Sequence, residues 1–108
     1  MIKDFQIKGL EKLVNSGTIK NIYPMVDHID IRYNGDLYNP RGWGGLEVDI
    51  FVNDPTITKE NMYDKDFDPH YLVEYHIKQY FPYFDINKPI MNFVVWGPDG
   101  EIITSWKH

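Results

Sequence analysis

Leu46-Glu47-Val48-Asp49-Ile50-Phe51-Val52 sets an aliphatic residue at every second position, with Glu47, Asp49 and Phe51 between them. Side chains of a β-strand alternate between the two faces of a sheet, so this pattern predicts a strand with its aliphatics inward and its acids outward. Upstream, the segment Ile22 to Tyr33 follows the same rule. Met25, Ile29, Ile31 and Tyr33 share one face, while His28, Asp30 and Arg32 share the other. Two such runs predict an antiparallel hairpin. Their connection, Asn34 to Gly45, reads Asn-Gly-Asp-Leu-Tyr-Asn-Pro-Arg-Gly-Trp-Gly-Gly, too long for a tight turn and near the upper end of ordinary loop lengths.

Toward the N-terminus, Ile2, Phe5, Leu10, Leu13 and Val14 fall largely on one helical stripe between Ile2 and Ser16. Gly17 stands where a helix commonly ends in a left-handed residue, and Gly9 interrupts the helix interior. Toward the C-terminus, Asn53 to Asp68 mixes Pro, Thr, Asn and acids without a clear period, which predicts a linker crossing over the sheet. Asp68-Pro69 then reads as an N-cap followed by proline at the first helical position. Val73, Ile77, Tyr80, Phe81 and Phe84 recur at helical spacing, and Pro82 predicts an end near Tyr80 or Phe81. Ile90 to Trp96 and Glu101 to Trp106 are strand-like around the turn Gly97-Pro98-Asp99-Gly100, a second hairpin. The order α-β-β-α-β-β predicts a single α+β domain spanning 1–108, with two helices packed on one face of a mixed or antiparallel sheet.

Composition narrows the function classes. Hydrophobic residues make up 43% and charged residues 25%, as in an ordinary globular domain. Aromatic residues reach 16%, with 8 Tyr, 6 Phe and 3 Trp, more rings than a small core needs. Such residues are enriched at interfaces. Cysteine is absent, which removes disulfides, thiolate metal sites and cysteine nucleophiles. Charges near the start and the lack of a long apolar run predict a soluble, cytoplasmic protein that does not enter a membrane. The net charge of −5 disfavours nucleic acid as the main partner, because that affinity comes largely from Lys and Arg.

Chemical motifs are sparse. Ser16 and Ser105 are the only serines, and neither lies in a nucleophile elbow. His28, His70, His76 and His108 show no metal-ligand spacing, and the glycines at 42, 44 and 45 lack the Lys-Ser/Thr of a phosphate-binding loop. Asp64-Lys65-Asp66-Phe67-Asp68 has the alternating acids of a calcium loop, but Pro69 and Tyr75 replace its glycine and closing glutamate, so a helix-capping acidic turn is expected. No cofactor, metal or small-molecule substrate is assigned.

Two surfaces remain. The Asn34 to Gly45 loop carries Tyr38, Arg41 and Trp43, residue types enriched at binding hot spots. With free sheet edges, it leads to the expectation of a non-catalytic interaction or assembly subunit. Such a subunit would be a homo-oligomer or bound to a protein partner, as a viral or phage virion component is, in host cytoplasm or virion. The second surface is the acidic face of the first hairpin: His28, Asp30, Glu47 and Asp49. It fits an acidic inhibitor, such as an immunity or anti-defence protein that steers onto a basic nuclease. Asp30 with Glu47-Val48-Asp49 also resembles the PD-(D/E)xK nuclease core. That resemblance implies a metal-dependent enzyme, although Asp49 stands where the family has Lys. Cross-strand pairs of Arg32 with Glu47 or Asp49 are the plain structural alternative, worth ~0.2–1 kcal/mol each.

Overall fold

Residues 4–34, 45–62, 67–80 and 90–107 are described by the computed structural model, apart from the side chains of Ile90 and Lys107. Helix α1 (Asp4–Val14) and a short helix α2 (Thr18–Ile22) precede strands β1 (Val26–Asn34) and β2 (Gly45–Val52). Helix α3 (Pro69–Tyr80) and strands β3 (Ile90–Trp96) and β4 (Ile102–Lys107) follow. The strands form one sheet in the order β1-β2-β3-β4. The outer pairs are antiparallel and the central β2–β3 pair is parallel. The fold is therefore α+β, two hairpins joined through α3. Strand order, which alternation cannot reveal, puts β2 and β3 side by side.

A single core cluster collects the inward residues of every element: Ile29 and Ile31 of β1, alternate β2 residues from Leu46 to Val52, and Phe93 and Val95 of β3. Val73 and Ile77 of α3 join it, with none of their surface exposed. Val26 faces the core too, although its even number would send it outward. The β1–β2 register shifts between Val26 and His28, and this bulge at Asp27 reverses the alternation.

The helical stripe of α1 differs from the one read in the sequence. Ile7, Leu10 and Val14, at i, i+3 and i+7, are buried, while Phe5 is 71% and Leu13 39% exposed. Spacing admits either set; contact with β1 and α3 selects one. Gly9 faces α3, where an added β-carbon would meet the Tyr80 hydroxyl. The segment 22–25 likewise is not strand. Ile22 ends α2, Tyr23 N–H bonds Ile19 O at 2.7 Å and Val26 N–H bonds Tyr23 O at 3.0 Å, a turn before Val26. Proline at 24 disfavours continued helix at Tyr23. Gly17 has a positive φ of 121°, but it does not end α1, which stops at Val14; it stands as the N-cap of α2.

Among its described residues, the aperiodic crossover holds three core anchors, Ile57, Met62 and Phe67. Its backbone is tied by local side-chain bonds, including Thr58 N–H to Asn61 Oδ1 and Asn61 Nδ2 to Thr56 O, both 2.8 Å.

The edge of β1 is not free, contrary to expectation. Asn15 Nδ2 donates to Ile29 O and Asn15 Oδ1 accepts from Ile29 N–H, each at 2.8 Å. Glu11 Oε2 accepts from Ile31 N–H at 2.7 Å. Side chains of α1 and the turn after it thus close backbone groups that an edge strand would otherwise present.

Candidate functional site

The described helices cover one face of the sheet; the other carries three cross-strand rows set by the register. His28, Phe51, Trp96 and Ile102 form the first row. Asp30, Asp49, Val94 and Ser105 form the second, and Arg32, Glu47 and Asn92 occupy the third. This arrangement follows from strand pleating once the strand order is known.

The first row is aromatic. The His28 and Phe51 rings stack with centroids 4.3 Å apart and planes 8° from parallel. Phe51 and Trp96 continue the stack at 6.4 Å and 12°. His28 is held from the side by Asp27, whose Oδ2 lies 2.7 Å from Nδ1, and its Nε2 lies 3.8 Å from Asp30 Oδ2. Ile102, 57% exposed, extends the row to the sheet edge.

Asp49 is the pivot of the second row. It is only 9% exposed, and a carboxylate so enclosed requires donors. Trp96 Nε1 donates to Oδ1 at 2.9 Å, while an Arg32 guanidinium nitrogen reaches Oδ2 at 3.5 Å. The same nitrogen lies 2.8 Å from Glu47 Oε2, and Asn34 Nδ2 donates to Glu47 Oε1 at 3.2 Å. Arg32 is 66% exposed, so its pairs with Glu47 and Asp49 sit in high dielectric and add ~0–1 kcal/mol. Their effect is to orient the face. Among the described side chains of β1 and β2 on this face and its bulge, four carboxylates, Asp27, Asp30, Glu47 and Asp49, stand against one guanidinium, Arg32.

His28, Asp30, Glu47 and Asp49 are thus brought onto one face, with Asp30 directly opposite Asp49. Glu47 and Asp49 are engaged by Arg32, Asn34 and Trp96. Among the described residues, no three His, Asp or Glu side chains converge to hold a metal ion. Tyr38, Arg41 and Trp43 lie outside the described residues. The pair Asn34 and Gly45, which bounds their loop, is at the end of the hairpin opposite the aromatic row. Asp64 and Asp66 are also outside the described residues, and Asp68 turns to His70, its Oδ1 2.6 Å from Nδ1.

Sequence reasoning missed Trp96 and Phe51 as site residues. Phe51 alternates with Glu47 and Asp49, a signal for the outer face. Trp96 needed the parallel β2–β3 pairing to be placed beside it. His70 is a further unanticipated cluster on the helical side. It is 3% exposed, stacks on Trp106 at 4.2 Å and 20°, and meets Phe93 edge-on at 6.0 Å, pinning the start of α3 to the second hairpin.

Beyond the aromatic row, a groove of about 450 Å³ opens between the crossover and the β3–β4 turn, lined by Pro55, Ile57, Lys59, Pro98, Glu101 and Ile102 among others. Ile102 belongs to both groove and row, so the two surfaces are continuous. No helix among the described residues is long and apolar enough to cross a membrane. Compared with protein families, curated proteins and solved structures, the chain matches none.

Proposed function

We propose that this protein is a non-catalytic protein–protein interaction domain, and that the open face of its sheet contacts a partner with a basic surface. The observation that carries this reading is the stacked row His28, Phe51 and Trp96 set beside four carboxylates and one guanidinium. Aromatic rings supply contact area at low entropic cost, and surplus negative charge steers a basic partner and rejects an acidic one. The surface needs no chemistry of its own to do this. An assembly subunit, such as a virion component, and an inhibitor of a basic nuclease would both use such a face. An inhibitor forms one discrete complex that salt dissolves; an assembly subunit builds larger, symmetric particles.

Asp27 and Asp30 are the charges to reverse, since their side chains are 57% and 49% exposed and neither supports Trp96. A partner captured by the wild-type protein should bind the Asp27→Lys/Asp30→Lys variant at least ~10-fold more weakly, with a shallower salt dependence. Equal affinity for the two proteins, measured by calorimetry across a salt series, would overturn the proposal.

A further inference from the structure

Strand β1 lies at the edge of the sheet, and the hydrogen bonds made to its outer side are those a neighbouring strand would make. Asn15 closes both backbone groups of Ile29, and Glu11 accepts from Ile31 N–H. Ile7, Leu10 and Val14 seat α1 on the core face, so Glu11 and Asn15 reach over the edge while the helix body stays on the sheet. We infer that Glu11 and Asn15 guard a self-pairing edge. With both withdrawn, β1 pairs antiparallel with β1 of a second copy, centred on Ile31.

The residues of β1 choose this occupant and register. Backbone groups at Ile29 and Ile31 point outward, so a strand added there must bond through odd-numbered residues. A two-fold axis at Ile31 sets Ile31 opposite its own copy and Ile29 opposite Tyr33, continuing the core-facing row. It also sets Asp30 opposite Arg32 of the second copy, twice over. These are positions without cross-strand hydrogen bonds, where Cα atoms come to about 4.5 Å and side chains meet most closely. An axis at Asp30 or Arg32 would bond through the same outward backbone groups but set like charges directly opposite each other. An axis at Ile29 would run into the bulge at Asp27. The contact uses the same patch on both copies, so it closes as a dimer with a continuous eight-stranded sheet and does not propagate into a fibre. Arg32, exposed and resting on Glu47 within the chain, is shared with the incoming Asp30.

The test is Glu11→Ala/Asn15→Ala in the full chain, which leaves Ile7, Leu10 and Val14 in place. Sedimentation equilibrium over a wide concentration range should give a monomer for the wild type and twice the monomer mass for the variant. Adding Asp30→Arg should return it to monomer, and the swap Asp30→Arg/Arg32→Asp should restore the dimer. A folded variant that stays monomeric, a dimer indifferent to Asp30→Arg, open-ended aggregates, or a wild type already paired through β1 would each overturn the inference. Should the double-alanine variant unfold, Glu11→Ser/Asn15→Ser, which shortens both guarding side chains but keeps them polar, is read by hydrogen exchange at Ile29. Protection that rises with protein concentration supports self-pairing, and protection independent of concentration overturns it.

Discussion

Trp96 Nε1 donates a 2.9 Å hydrogen bond to Asp49 Oδ1, joining two side chains 47 residues apart on adjacent parallel strands. This bond fixes the end of the aromatic row against the acidic row, and it gives the nearly enclosed Asp49 carboxyl group a hydrogen-bond donor.

Removing that acceptor should be felt in stability. Asp49→Ala leaves the indole N–H and the Arg32 guanidinium short of a partner, and is expected to cost ~1–3 kcal/mol. Asp49→Asn keeps an oxygen acceptor and should cost less. Urea unfolding followed by far-UV circular dichroism compares the two; equal losses would detach Trp96 from the effect.

Asn15 and Glu11 hold different amides, and so they can be separated. Asn15→Ala should speed hydrogen exchange at Ile29 by roughly tenfold while Ile31, held by Glu11, changes little. Glu11→Ala should reverse the pattern. Uniform acceleration at both amides would mean that α1 moves as a whole.

Gly9 and Tyr80 are expected to be coupled. Alanine normally gains up to ~1 kcal/mol over glycine inside a helix, yet here its methyl would meet the Tyr80 hydroxyl. Gly9→Ala should therefore be less favourable in the wild type than in a Tyr80→Phe background, by ~0.5–1.5 kcal/mol in a double-mutant cycle. A coupling near zero would show that the Tyr80 ring simply swings aside.

Arg32→Ala should shift stability by no more than ~1 kcal/mol, because its ion pairs are solvent-exposed. The same change makes the open face more acidic. Thermal unfolding reads the first effect; a loss near 3 kcal/mol would assign Arg32 a structural role beyond orientation.

Phe67 tests the crossover. It is fully enclosed and meets Tyr23 edge-on at 5.6 Å. Phe67→Ala should cost ~3–5 kcal/mol, as for a ring in any packed core. A loss below 1 kcal/mol would mean that the crossover is not anchored there.

Much of the fold was legible in residue order, because the determinants are local. The pleat sends Ile29, Ile31, Leu46, Val48 and Ile50 inward and Asp30, Arg32, Glu47 and Asp49 outward without reference to any other part of the chain. Asp68-Pro69 likewise marks the start of α3 through backbone constraints confined to neighbouring residues. Other features depended on contacts between distant segments. Ile7 displaced Phe5 from the buried stripe because β1 and α3 lie where they do. Phe67 and Met62 became core residues although no period surrounds them. The parallel β2–β3 pairing placed Trp96 beside Phe51 and Asp49, and the edge position of β1 made Asn15 and Glu11 its cover. Alternation reports which face a residue occupies; which strand stands next to it depends on how the whole chain buries its apolar surface, a choice local sterics leave open.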